Sequence, residues 1–489
     1  MAKRTAIIDI GSNSARLVIF QNTSKEGFHL ICEQKSRVRI GEGAYENQGN
    51  LQPIGMDRAY QTLKSFTQTL KEYNVSKTIA VATSALRDAP NRAIFLEKVD
   101  KELGLQIDVI DGKKEALYGA IAAKNLLPID EGVTIDIGGG SSDMALIKNG
   151  EIVETYSLNL GTVRLKELFF DKQSSIKEIQ QYIRTALKAL PNTFTSSTAI
   201  GIGGTARTLA KAIIEESRYP LDKLHAFSYE YVTYHRYFSK IISSDIDALH
   251  HHHIKENRYD TIREGTLIFD EILSHIGAKH IITSGVGVRE GVYLHHRLPK
   301  PPHTFPTDIN PSIKSIRDRF DILSLPYGNK KETAKALYKL FTPHMKKDNI
   351  GFKLLEKTLS LSNIGKVLTI YQKDKHASYI AMQELNYGFT HEEMALISLL
   401  LYAKSKRGYH KGLYKRYKAL LPSKRTMKWL SFIYTLTLIL HKSSAKSDMV
   451  FKYKKGVLHI KSSTSLYIAA EEIHAMKKPK GLEVKVEIY

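Results

Sequence analysis

The sequence is short of cysteine, tryptophan, long apolar runs and, toward its C-terminal end, acidic residues. One cysteine, Cys32, stands among 489 residues. It can neither close an internal disulfide nor join a multi-thiolate metal site, which excludes zinc-finger chemistry and fits a reducing compartment. The segment from Met1 to Asp9 carries too brief an apolar run for a signal peptide. The most apolar stretch, Trp429 to Leu440, falls well short of the roughly 20 residues that span a bilayer and includes Ser431, Thr435 and Thr437. A cytoplasmic protein with no membrane partner is expected. Cys32 and Trp429 read as packing residues.

What is present is an ordinary globular composition, 42% hydrophobic and 25% charged, on a chain long enough for about three domains. Its 72 Lys and Arg against 50 Asp and Glu give a formal charge of +22, unevenly spread. Residues 1–300 hold 38 basic and 35 acidic residues, and residues 301–489 hold 34 and 15. Between Lys404 and Lys428 ten basic residues occur with no acidic one, interleaved with Tyr402, Tyr409, Tyr414 and Tyr417. Solvated helix faces normally mix signs, and unrelieved like charge costs stability. A polyanionic partner for Lys411, Lys415 and Arg416 is therefore expected.

The first three hundred residues alternate β-branched apolar runs with helical patterns, which reads as α/β. Core strands are expected at Ala6 to Ile10, Thr78 to Ala82, Gln106 to Ile110, Val133 to Ile137, Ala199 to Ile202 and His280 to Thr283. Four prolines between Leu298 and Pro306 mark a linker. Helical periodicity follows to about Ala445, and the tail from Met449 alternates again, which suggests a small β-containing appendage.

One internal similarity organises the chemistry. Asp9-Ile-Gly-Ser-Asn-Ser and Asp136-Ile-Gly-Gly-Gly-Ser-Ser-Asp share a plan: apolar strand, Asp-Ile-Gly, a turn of small residues, returning apolar strand. Two duplicated α/β lobes are expected, each offering a hairpin tip whose backbone N–H groups and hydroxyls can nest a phosphate. An Asp at the end of each strand can hold a water or reach Mg²⁺. Gly201-Ile-Gly-Gly-Thr and Ser284-Gly-Val-Gly-Val-Arg-Glu-Gly each read as strand, glycine turn and helix start, where anions also bind. Four adjacent histidines, His250 to His253, point in different directions on a helix and read as a solvated face.

Together with Ala82-Thr-Ser-Ala-Leu-Arg-Asp and Asp111-Gly-Lys-Lys-Glu-Ala-Leu-Tyr, these motifs resemble the exopolyphosphatase and guanosine pentaphosphate phosphohydrolase family. The resemblance implies two actin-like (ribonuclease H-like) lobes over residues 1–125 and 126–300. It further implies a helical HD-like domain over 310–445, a small appendage over 446–489, and a homodimer. It implies Mg²⁺-dependent removal of a terminal phosphate, with Glu115 as the water base and Arg87 on phosphate. Ser12, Asn13 and Ser14 supply the first phosphate loop, and Gly138, Gly139, Gly140, Ser141 and Ser142 the second. Asp136 and Asp143 are the expected metal carboxylates, Asp143 standing where many relatives have Glu. Arg289 is an expected nucleotide contact. Ser362 and Asn363 stand where metal-dependent HD enzymes need a His-Asp pair, so the helical domain reads as a binding vestige and His376 as structural. Inorganic polyphosphate is the leading substrate and guanosine pentaphosphate the alternative, with nucleic acid disfavoured. A small-molecule kinase and a catalytically dead polyanion binder are the other readings, both opposed by an intact Glu115.

Overall fold

The structure, a computed structural model, describes residues 3–321, 328–345, 348, 350–442 and 448–488. The chain divides into two compact units, Met1–Asn310 and Pro311–Tyr489.

The first unit contains two sheets. Strands β1 (Arg4–Ile10), β2 (Ala15–Asn22), β3 (Phe28–Ser36), β4 (Lys77–Ala82) and β5 (Ile107–Val109) form one, in the order β3-β2-β1-β4-β5. Strands β6 (Gly132–Ile137), β7 (Ser142–Lys148), β8 (Glu151–Leu158), β9 (Thr198–Ile202), β10 (Ser228–Glu230) and β11 (His280–Thr283) form the other, in the order β10-β11-β9-β6-β7-β8. In each sheet three antiparallel strands adjoin two parallel ones, and the second adds β10 antiparallel at its edge. Apart from that edge strand, the two orders are the same. The duplication written in the two Asp-Ile-Gly segments is thus a duplication of topology, that of an actin-like pair of lobes. Strands β3 and β8 escape a search for apolar runs because polar residues alternate along them, as half-buried antiparallel strands allow.

Two helices cross between the lobes. The Gly112–Leu126 helix leaves β5 and packs on β6, β7 and β8 of the second lobe, so Glu115 rides on an element that joins both lobes. Ala120 and Ala123 enter one apolar cluster with Ala145, Ile147, Ile200 and Ile202. The Val288–Arg297 helix returns to the first lobe: Tyr293 stacks on Phe20 at 4.3 Å and its hydroxyl donates to Asn22 at 2.7 Å. The proline-rich stretch that follows is irregular but tethered. Asn125 donates to the His303 carbonyl at 2.8 Å and accepts from the Phe305 N–H at 3.1 Å.

The second unit is mainly helical. Helices His391–Leu401 and Lys424–Leu440 are buried on nearly every face, which explains the apolar stretch from Trp429 to Leu440 as core. A three-stranded sheet of β12 (Met449–Lys454), β13 (Val457–Ser462) and β14 (Glu483–Ile488) closes the chain, with the parallel β13/β14 pair connected through the Tyr467–Ala475 helix. Among the described residues, no helix is long and apolar enough to cross a membrane.

Candidate active site

The two hairpin tips are built alike. Ile10 pairs with Ala15 and Ile137 with Ser142, which leaves four-residue loops closed by Gly11 N–H to the Ser14 carbonyl at 3.1 Å and Gly138 N–H to the Ser141 carbonyl at 2.8 Å. The tips touch. A Cβ on Gly139 would stand 2.8 Å from the Ser12 Cβ, so a side chain there would force the loops apart. The cleft they border, about 180 Å³ in volume, is lined by Asp9, Ser12, Asn13, Ser14, Glu115, Asp136, Gly138, Gly139 and Arg289 among others.

Glu115 sits in the first turn of its helix, which Asp111 caps by accepting from the Lys114 N–H at 2.7 Å. Gly112 fixes how closely this turn approaches β8 and β7, since a Cβ there would lie 2.1 Å from Ser157 Oγ and 3.1 Å from Asp143 Oδ1. One Glu115 oxygen lies 3.4 Å from Arg87 Nη1, and the Glu115 side chain is 13% exposed. Burial, then the nearby Asp143 and Asp136 carboxylates, push the Glu115 carboxyl well above the ordinary range, while Arg87 opposes the shift. Asp136 is pushed up to about 6 by burial, against the pull of Arg207.

Several expected site residues lie behind the cleft surface. Asp143 is 2% exposed and accepts from Ser157 Oγ at 2.5 Å and from Ser141 Oγ at 3.0 Å. Burial raises its carboxyl to about 7, against those two hydrogen bonds. With both oxygens engaged and no share in the cleft lining, Asp143 lies behind the surface where a direct metal ligand is expected, and its charge adds to the rise of the Glu115 carboxyl. Ser142 is fully buried and donates to the Leu160 carbonyl at 2.6 Å, and Ser141 spends its hydroxyl on Asp143. Both hydroxyls are thus turned into the protein, and neither residue lines the cleft. Gly140 lends its carbonyl to Arg164 Nε at 3.1 Å and is also absent from the lining. Arg289 is 7% exposed and reaches Glu33 on β3 at 2.8 Å, an ion pair between the lobes rather than an open nucleotide contact. Lys411, Lys415 and Arg416 are exposed on a short helix of the second unit, whose Tyr414 and Tyr417 are buried packing residues.

The structure also gathers residues that sequence reasoning did not assign. Arg16, Lys35, Arg37, Arg207 and Arg258 join Arg289 in the cleft wall. Arg16 and Arg207 lie inside quoted motifs, and Lys35 and Arg37 recur with the two-residue period that puts side chains on one face of a strand; that spacing was the available signal. Arg207 holds the Ser284 and Val286 carbonyls at 2.8 and 3.0 Å, and burial with the neighbouring Arg289 lowers its guanidinium to about 10. Ser84 joins the cleft through a 3.0 Å contact between its hydroxyl and that of Ser12. Arg258 Nε and Thr205 Oγ1 are buried with no hydrogen-bond partner among the described residues. Six cations and three carboxylates line the cleft, with Arg289 and Arg16 shared with Glu33 and Arg37 with Asp260, and the unspent donors give the arrangement the means to receive an anion. The four histidines do not converge: His252 contacts Ser244 Oγ and His253 contacts Glu216, each at 3.1 Å.

The chain is similar to several known proteins. Over 298 residues the chain is 30% identical to a bifunctional 3-dehydroquinate synthase/phosphatase of Fusobacterium nucleatum, covering 57% of this chain but only 44% of that longer protein. It is 24% identical over 409 residues to a guanosine-5'-triphosphate,3'-diphosphate pyrophosphatase of Photobacterium profundum, covering 81% of this chain and 79% of the relative. The crystal structure of an exopolyphosphatase from Cytophaga hutchinsonii superposes with a TM-score of 0.55 at 27% identity, over 60% of this chain and 98% of that one. The Ppx/GppA phosphatase family model matches residues 18–299, which carry most of the cleft. With more than half its length inside that match, the chain belongs to the Ppx/GppA phosphatase family.

Proposed function

We propose that this chain hydrolyses a terminal phosphoanhydride bond, releasing orthophosphate from the end of inorganic polyphosphate. The observation that carries the reading is Glu115, a largely buried carboxylate that lines the cleft together with two matched hairpin tips and six cationic side chains. The N–H groups of the tips and the cleft arginines orient the terminal phosphoryl group and offset the charge on its oxygens. Glu115 takes a proton from a water as that water attacks phosphorus and the bond to the bridging oxygen breaks, the shortened polyphosphate leaving as an anion. Arg87 holds Glu115 in place and keeps its carboxyl from rising further.

The residues fit a magnesium ion. Among the described residues no three His, Cys, Asp or Glu side chains converge into a cage. Asp9 and Asp136 both line the cleft, and Mg²⁺ is usually held by one or two carboxylates with substrate phosphates completing the set. Asp9 and Asp136, rather than Asp143, would hold it, and it would supply further charge neutralisation at the phosphoryl oxygens.

Guanosine pentaphosphate is the second reading, supported by the name of the Photobacterium relative and its coverage of most of both chains. Both readings share Glu115. Phosphate release from long polyphosphate and from guanosine pentaphosphate, measured side by side with Mg²⁺, ranks them by kcat/KM. Loss of both activities in Glu115→Gln supports the shared chemistry, and turnover within a few-fold of the parent contradicts it.

A further inference from the structure

The second unit holds a cavity of about 550 Å³ beside Ser362 and Asn363. Its wall carries Lys330, Lys366, Lys373, Lys404, Lys406 and Arg407, together with Lys442. Two carboxylates share the wall, Asp374 and Glu472, with Glu472 engaged by Lys442, and Asp321 acts on Lys330 and Lys366 from nearby. Among the described residues none of the other six cations is in an ion pair. The ammonium groups press on one another. Burial first, then the charges of Lys366 and Lys373, hold the Lys330 amine below its ordinary value, and burial with Lys373 does the same to Lys366, in both cases against the pull of Asp321.

Lys404, Lys406 and Arg407 are exposed, as on a solvated face, but Lys330, Lys366 and Lys373 are half-buried, which a solvated face does not explain. Lysines on a convex surface separate into water and mix with acidic residues, whereas these converge on a concavity of the size that holds small ligands. Among the described residues Asp374, Glu472 and Asp321 offset only part of the charge of seven cations. Ser362 and Asn363 offer a hydroxyl and an amide, which suit hydrogen bonding to oxyanions. Leu438 and Ile439 add an apolar wall, which the largely exposed Ile370 also borders.

We propose that this pocket is a second binding site, for a compact anion carrying clustered phosphate groups, with the lysines meeting the phosphate oxygens and the apolar wall receiving any attached organic group. It is separate in residues from the catalytic cleft and from the exposed Lys411, Lys415 and Arg416, and it does not rest on the hydrolytic reading. Lysine serves such ligands as a compact point charge.

The test counts bound ligand by equilibrium dialysis on the full chain carrying Glu115→Gln, which limits turnover, using tripolyphosphate in one arm and GTP in the other. The expected result is a binding component that Lys366→Ala with Lys373→Ala weakens at least tenfold and Lys366→Arg with Lys373→Arg retains. Restoring Glu115 in the alanine pair should leave phosphate release from tripolyphosphate unchanged, which separates this pocket from the cleft. Equal affinity in the two arms assigns the site to phosphate alone; tighter GTP binding brings in the apolar wall. Should the alanine pair fail to fold, lysine acylation of the parent chain reads the same site, with Lys366 and Lys373 protected by tripolyphosphate. Identical isotherms in parent and alanine pair, or acylation of both lysines unaffected by either probe, would overturn the proposal.

Discussion

At the scale of single residues the cleft trades stability for chemistry. Asp136 is held at about 6 by burial, above the ordinary carboxylate value, so the folded chain binds more protons than the unfolded one between these two pH values. Stability from this group is present at low pH and is lost as pH rises through about 6. The whole shift corresponds to roughly 3 kcal/mol. Asp136→Asn should therefore raise the melting temperature at pH 8 in chelator and without substrate, with the gain fading toward pH 4. An unchanged or lower melting temperature at pH 8 would remove that account of Asp136. Glu115 gives a kinetic counterpart. Its raised carboxyl predicts a rate that climbs with pH along an acid limb above the usual Glu range, since only the deprotonated form accepts the proton of water. Arg87→Ala removes the charge that opposes the rise, and the limb should move to higher pH; a limb that stays in place would mean Arg87 acts only on substrate.

At the scale of elements the decisive piece is the Gly112–Leu126 helix, which starts at the end of the first sheet and docks on the second. Gly112→Ala forces a Cβ into Ser157 Oγ and should cost roughly 1–3 kcal/mol in a urea unfolding titration, with a matching loss of kcat as Glu115 shifts. Asp111→Ala, which removes only the cap, should cost about 1 kcal/mol. The hairpins and parallel strands were legible because Asp-Ile-Gly, a small-residue turn and an apolar return make a local pattern. The path of the crossing helix was not: Ala120 and Ala123 are apolar whichever sheet they meet, so only the folded chain shows that they pack on the second lobe. Lys35 and Arg37 on β3 and its continuation look like solvated strand residues until the lobes bring them to the cleft. Ser142 failed in the opposite sense, since a phosphate-loop serine and a strand serine turned toward a buried carbonyl are alike in sequence.

At the scale of the whole molecule the charge count takes on a different meaning. Residues 1–300 carry a net +3, which suggests bland lobes, yet six of their cations converge on one cleft. The excess of +19 in residues 301–489 is partly an exposed helix at Lys411, Lys415 and Arg416 and partly the walled pocket around Lys366. If the exposed helix holds the distal part of a long polyanion, alanine at those three positions should weaken binding of long polyphosphate far more than of tripolyphosphate. The salt slope of long-chain binding should fall by about 0.7 for each lost contact; equal weakening for both lengths would remove the helix from substrate binding. In the proposed reaction Glu115 activates water at the end of a phosphate chain held by the two hairpin tips. Its most direct test is single-turnover phosphate release from terminally labelled polyphosphate by the parent and Glu115→Gln chains, with binding measured in parallel. The Glu115→Gln chain should release phosphate roughly 10²–10⁴-fold more slowly with binding retained; release at the parent rate would rule out Glu115 as the water base.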